Sequence, residues 1–429
     1  MSEPPPREPP RDAGGPSLED RLSRAFSLRR NARQLLTPPS GHLRPLDGLR
    51  ALSILWVVVF HTGWYAAPHI PIPTYAELLF AKWMLPVWRG DFGVDVFFVL
   101  SGFLIAGMLI DEKASTGRLR LGLFYLRRLI RLWPALGVAV LLDVVFIGDH
   151  PNMVWANLLY VSNFIPILQA AMGWTWSLAI EEQFYLVCPW LVGGLALVSD
   201  RARLQVIGAI VLALTAIGAW VVIANDLHAV DAEIVVTRHI TLWAVGYDHL
   251  YVKPWMRAGA LLCGVAAAYL YRTPRFMEAL ARRQDQMIFG LLGALVAGAI
   301  AMHWPLAEGL PRPLEVLYLA TFRSVFGAVV AFVLLLSLSE HPLGKTIGKA
   351  LSAPILYPFG QLAYSAYLLN PIVCTLVHHA LAPRVWQDHV PPIPLFLPFD
   401  FLATFGSAAI VHLFVERPFM ELRPRARAV

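Results

Sequence analysis

The sequence predicts an all-α, polytopic membrane bundle of about ten transmembrane helices, and three observations carry that prediction. Hydrophobic residues make up 57% of the 429 and charged residues only 15%, whereas ordinary soluble domains carry about a quarter charged residues. Apolar stretches long enough to cross a bilayer recur from residue 51 almost to the end. Basic residues fall between those stretches, which is the signature of membrane topology. The net charge of +6 is therefore not read as a nucleic-acid footprint.

Taken in order, residues 1–16 are Pro-rich, a composition that cannot bury a core, and no cleavable signal peptide is legible in them. Residues 17–36 read either as a basic amphipathic helix on an anionic leaflet or as a flexible tail. Residues 1–40 are thus expected to form a disordered, basic cytoplasmic tail, residues 41–420 the membrane domain, and residues 421–429 a short basic cytoplasmic tail. Spans are expected over 51–67, 93–110, 132–148, 177–198, 204–223, 258–271, 287–304, 316–338, 355–379 and 399–415. Residues 238–250 read as a further interfacial or re-entrant piece.

Loop charge orients this arrangement. With ten spans, alternate connections and tails collect 27 of the 35 Lys and Arg residues, and the segment 149–175 on the opposite side holds none. The positive-inside rule then places both termini in the cytoplasm. Cys188, Cys263 and Cys374 all lie inside apolar segments without a CxxC partner, so neither a disulfide framework nor a metal site is expected.

Five motifs carry polar chemistry into this apolar frame. In RALSILWVVVFH, Arg50 and His61 return to nearly one helix face, roughly 16 Å apart along the axis. Snorkelling satisfies an arginine at the interface, but an imidazole among valines marks a functional site or a hydrogen bond between helices. In GVDVFFVLSGFLI, Asp95 enters the membrane, while Ser101 and Gly102 read as helix-packing residues. In YLRRLIRLWP, Arg127, Arg128 and Arg131 are spaced three and four apart. They serve either topology or a clamp for an anionic ligand such as the phosphates of coenzyme A. In WTWSLAIEEQFYLVCPW, adjacent Glu181 and Glu182 point about 100° apart, so one of them faces a cavity. An ion pair with Arg323 or Arg238 is the structural alternative. The last motif joins AYSAYLLNPIV, with Asn370 as possible interhelical glue, to the terminal VERPF; His378 and His379 read as exposed near the outer end of their span.

In combination these motifs resemble the acyltransferase 3 family of integral-membrane acyltransferases. The resemblance runs from about residue 42 to 420 and rests on Arg-x10-His, FFVLSGFLI, RRLIRLWP and WSLAIEEQFYLV. It implies a ten-helix fold that uses acyl-CoA, acetyl-CoA foremost, on the cytoplasmic side. It also implies critical roles for Arg50, His61, the Arg127, Arg128 and Arg131 cluster, and Glu181. Two departures stand out: Asn370 occupies a position where the family often has histidine, and the optional extracytoplasmic SGNH domain is not found in this sequence.

The resulting expectation is an O-acyltransferase in the cell membrane (a bacterial inner or plasma membrane), moving an acyl group from cytoplasmic acyl-CoA to a hydroxyl of a glycan, glycolipid or glycosylated metabolite. His61 and Glu181 are the expected catalytic residues, with Glu181 positioning the imidazole or stabilising its cationic form if the helices bring the two together. Arg50, Arg127, Arg128 and Arg131 are expected to hold the donor, and no metal is expected. His61 serves as general base or as transient acyl carrier. The rival class is a proton-coupled transporter, which also carries intramembrane Arg, His and Glu.

Overall fold

The structure, a computed structural model, describes residues 17–39, 43–66, 85–228, 244–303, 307, 309–385 and 393–424. Within them, ten long helices coincide with the ten expected segments: α1 (Arg44–Ala66), α2 (Gly93–Thr116), α3 (Leu121–Phe146), α4 (Trp176–Leu195), α5 (Asp200–Ala224), α6 (Pro254–Tyr271), α7 (Gln284–Met302), α8 (Arg312–Ser337), α9 (Leu356–Val385) and α10 (Ile393–Val411). Among the described residues, seven helices are long and apolar enough to cross a membrane by length and composition alone. The remaining three, α4, α6 and α9, carry polar residues into the interior, among them Glu181, Arg257 and Asn370.

Local chemistry sets several ends. Gly117 terminates α2 in the left-handed region (φ 70°), with its N–H closing on Lys113 O, a conformation glycine adopts without a Cβ clash. Ser199 caps α5 by accepting from Ala202 N–H. At the end of α10 the chain slips into a π-helical turn, His412–Glu416, before the short helix Arg417–Leu422.

α2 and α1 form the centre of the bundle. α2 lies against α6, and α1 against α9. The α2–α6 crossing depends on Gly102 and Gly264: a Cβ on either would run into the other helix's backbone, at Leu261 O and Val99 O respectively. Small residues permit such approach where lipid supplies no hydrophobic drive between helices. Peripheral helices instead turn large apolar side chains outward, as α7 does with Phe289, Leu292, Leu295 and Val296.

Residues 17–36 are helical and held against the rest of the chain. They form two short helices, Leu18–Ala25 and Leu28–Leu36, that meet the C-terminal segment. Arg30 pairs with Glu421 at 3.1 Å, Arg417 binds Gln34 Oε1 at 2.8 Å, and Asn31 donates to Leu413 O at 3.2 Å. Both described ends of the chain therefore meet on one face of the bundle, here called the terminal face.

A salt-bridge network occupies the core. Asp95 receives both Arg257 (2.8 Å) and Arg323 (2.7 Å), and Arg323 also pairs with Asp91. The Arg257 guanidinium lies 4.6 Å from the centre of the Trp176 ring and 4.3 Å from that of Tyr251. Arg323 thus bridges the start of α2 to α8, and the alternative pairing of Arg323 with Glu181 or Glu182 is not what forms. Arg238 lies outside the described residues.

Candidate active site

Three adjoining cavities follow one another through the bundle. The first opens on the terminal face with a volume of about 620 Å³ and is lined by Arg120, Arg127, Arg128, Arg131, Arg417 and Arg423, with Glu112 and Glu421. The three- and four-residue spacing on the first turns of α3 turns its arginines to the same side. Opposite them stands the segment after α10, tied on by Arg127 Nε donating to Pro424 O at 2.9 Å. Glu421 is engaged with Arg30 and Arg417, so it leaves most of the positive charge uncompensated. Arg423, beyond the last helix, is held below the ordinary arginine value by desolvation and by neighbouring Arg131, Arg127 and Arg417. Such crowding of like charge is relieved by an anion.

Arg128 and Arg131 also line the second cavity, a throat of about 170 Å³. Here Arg50 of α1 enters, tethered to Asp47 at 3.4 Å. Glu181 faces the throat and accepts from Ser101 Oγ at 2.6 Å; Ser101 in turn accepts from Tyr185 OH at 3.2 Å. Arg128 stacks over the Tyr185 ring at 5.1 Å. The π-helical turn places His412 and Glu416 on one side, 2.9 Å apart, and Ser365 donates to the same Glu416 oxygen at 2.8 Å. The wall is therefore a ladder of hydroxyls, carboxylates and guanidinium groups.

Val94 and Tyr367 line both the throat and the third cavity. Tyr367 is fixed there by Ser177 Oγ at 2.6 Å and Trp174 O at 2.7 Å. The third cavity, about 470 Å³, is lined by aromatic rings including Trp64, Trp174, Trp176 and Tyr247, and by His61, Asp143 and Asp149. His61 Nδ1 is 2.7 Å from Asn370 Oδ1. Asp143 is 1% exposed and its Oδ2 has no hydrogen-bond partner among the described residues.

Arg127, Arg128 and Arg131 come together as the spacing predicts, and the throat unites Arg128, Arg131, Arg50 and Glu181. His61 is different. It lines the chamber beyond Tyr367 rather than sharing a cavity with Arg50, and its partner is Asn370, whereas Glu181 is bound to Ser101. The expectation that Glu181 positions the imidazole is corrected accordingly: α4 presents Glu181 a level nearer the terminal face than His61. Only one of the adjacent glutamates lines the throat, as the 100° offset requires. Ser101 turns into the throat, and packing falls to Gly102 alone. His378 is fully buried against Asp400 rather than exposed, while His379 is exposed.

Sequence reasoning passed over Arg120 and Arg423, whose signal was lost in the general excess of positive charge near that face, and also Asp143 and His412. Tyr185, Tyr367, Glu416 and Arg417 fall within the motifs WTWSLAIEEQFYLVCPW, AYSAYLLNPIV and VERPF but received no role. Polar side chains within apolar runs were the available sign, but their direction around the helix was not legible.

These features define a multi-pass, all-α membrane protein with a basic entrance leading toward a buried histidine. The chain belongs to the acyltransferase 3 family: the family's model, described as an acyltransferase domain, matches residues 44–412. It is similar to the peptidoglycan O-acetyltransferase OatA of Listeria monocytogenes, 27% identical over 401 residues that cover 87% of this chain and 55% of that protein. A candidate O-acetyltransferase of Staphylococcus aureus (strain COL) is also 27% identical, over 87% of this chain and 56% of its own. Nose resistant to fluoxetine protein 6 of Caenorhabditis elegans is 22% identical over 91% of this chain and 52% of that protein. The chain thus spans about half the length of the curated relatives it matches. No solved structure matches.

Proposed function

We propose that the protein is an integral-membrane O-acetyltransferase: acyl-CoA, acetyl-CoA foremost, enters from the terminal face, and the acyl group passes to a hydroxyl of a glycan-type acceptor in the aromatic chamber. The observation that carries this reading is the succession of cavities, with an arginine-lined mouth at one end and His61 at the other. Guanidinium groups match phosphate oxygens in bidentate pairs, so Arg127, Arg128 and Arg131, with Arg120, Arg417 and Arg423, suit the nucleotide end of the donor. The throat suits its narrow amide-bearing arm, with Arg50, Ser101 and Glu181 supplying donors and acceptors.

At the far end, His61 Nε2 accepts the proton of the acceptor hydroxyl while the oxygen attacks the thioester carbonyl. The C–S bond then breaks, and the departing thiolate takes the proton from the imidazolium. In the covalent route His61 Nε2 attacks the thioester carbonyl and the C–S bond breaks with loss of the CoA thiolate; the acceptor hydroxyl then attacks the acyl-imidazolium carbonyl, the C–N bond breaks, and the hydroxyl proton passes to the thiolate. A saccharide acceptor is supported by the chamber's rings, which offer flat apolar faces, and by Asp143, whose buried Oδ2 lacks a partner among the described residues and invites a hydroxyl donor. The name of the Listeria relative points the same way.

The test is acyl transfer by purified protein in lipid nanodiscs, given labelled acetyl-CoA and a panel of oligosaccharides. Wild type should release CoA and label an acceptor, and His61→Ala should lose about 10²–10⁴-fold in rate while inserting and melting normally. Undiminished transfer by His61→Ala would remove this reading.

A further inference from the structure

Behind His61, a buried polar cluster joins α1, α9 and α10. Asp400 on α10 is fully buried; its Oδ2 accepts from Thr62 Oγ1 at 2.8 Å and lies 2.8 Å from His378 Nε2. Cys374 on α9 makes a side-chain hydrogen bond with the same carboxyl group. One turn earlier on α9, Asn370 directs Nδ2 at Cys374 Sγ (3.2 Å) and at Thr404 Oγ1 (3.0 Å), and turns Oδ1 to His61 Nδ1 at 2.7 Å. Asn370 and Asp400 are both fully buried, and no role in the transfer has been given to either so far.

The direction of every bond in this cluster follows from its one anionic member. A carboxylate only accepts hydrogen bonds. The hydroxyl, thiol and imidazole gathered on Asp400 must therefore donate to it. A Cys374 S–H that points at Asp400 leaves the sulfur as an acceptor, and Asn370 meets it with an N–H. With both amide hydrogens committed to Cys374 and Thr404, the face of Asn370 left for His61 is its oxygen. His61 Nδ1 must then carry the hydrogen, and Nε2 holds the lone pair. Nε2 has no hydrogen-bond partner among the described residues, and His61 lines the aromatic chamber.

We propose that the Asp400–Cys374–Asn370 chain holds His61 in the Nδ1–H tautomer, with Nε2 presented to the chamber as the proton acceptor. Asn370 and Asp400 are positioning residues. A free imidazole side chain in water favours the opposite, Nε2–H form, so an unconstrained His61 would present a donor where an acceptor is needed. The polar partner of a histidine's second nitrogen commonly sets its tautomer in this way. The proposal rests on the reading of His61 as the group that takes the acceptor's proton, but it concerns a ground-state hydrogen that can be measured without turnover.

The experiment is nitrogen-15 NMR of the full-length, histidine-labelled protein in nanodiscs, which reports the ring nitrogen that bears hydrogen. The His61 signal is the one missing from His61→Gln or, should that variant not fold, the one moved by Asn370→Asp. The expected result is a protonated Nδ1 and a bare Nε2 in wild type; a protonated Nε2, or an even mixture, would overturn the proposal. Asn370→Leu and Asp400→Asn should move His61 toward the Nε2–H form and lower kcat by as much as about 10⁴-fold, the scale on which a wrong tautomer slows an imidazole base. Donor KM should stay near wild type in both. Asn370→Asp, which keeps the acceptor, should retain the Nδ1–H form and most of kcat. Should Asp400→Asn fail to fold, Asn370→Leu and the wild-type spectrum decide the matter. An unchanged spectrum in a folded Asn370→Leu protein would also overturn the proposal. By contrast, a His61→Ala protein that still transfers acyl groups would end the catalytic reading while leaving the tautomer result standing.

Discussion

Arginine is used in two opposite ways at the two ends of this bundle. Around the mouth, Arg120, Arg127, Arg128, Arg131, Arg417 and Arg423 share a cavity with only two carboxylates, Glu112 and Glu421. Toward the aromatic chamber, Arg89, Arg257 and Arg323 are answered by Asp91 and Asp95 at hydrogen-bonding distance. Arg257 and Arg323 lie deep in the core. A buried guanidinium survives only when paired, so the second group, three guanidinium groups on two carboxylates, is largely compensated and structural. The first keeps its charge available to a ligand. Position in a sequence shows both groups only as arginines in or beside apolar segments; pairing separates them.

The comparison predicts a division of labour that mutation can break. The largest expected effect is on stability: Asp95→Ala leaves Arg257 and Arg323 short of a counter-charge and should cost about 3–5 kcal/mol, seen as a loss of folded yield and a lowered melting temperature in detergent. An Asp95→Ala protein that melts like wild type would erase the structural half of the comparison. Next, Arg128→Ala removes a charge-assisted partner worth about 1.5–3 kcal/mol, so donor KM should rise by about tenfold to a hundredfold while the melting temperature holds. Unchanged donor affinity in titration calorimetry would count against the mouth as the donor site.

A smaller change is expected at the chamber. Asp143→Asn should raise acceptor KM several-fold with donor KM untouched, because a neutral amide replaces a charged hydrogen-bond acceptor worth about 1 kcal/mol more. A shift in donor KM instead would place Asp143 on the wrong side of Tyr367. The smallest effect belongs to Arg423→Ala, at the exposed rim. Its contribution is screened by solvent and salt, so donor KM should rise slightly at low ionic strength and not at all in about 1 M salt.

Much of the architecture was legible beforehand. All ten apolar segments become helices, and the α3 arginines converge as their spacing requires. Ser101 and Gly102 show where reading stops: neighbours in sequence, one enters a hydrogen-bond ladder and the other lets α6 approach. Asn370 is a second instance. Its chemistry excludes proton transfer, which placed it outside the expected machinery, yet it is the direct partner of His61. His378 reads as a surface residue near the end of a span, and α10 covers it with Asp400.

The sequence by itself determined how far along the membrane axis each polar group lies, because hydropathy and charge position a helix with respect to the bilayer. Only the tertiary structure decided which groups meet. That depends on helix rotation and on contacts between segments as distant as α1 and α9, where glycine crossings and buried ion pairs select one packing among many that share the same hydropathy profile.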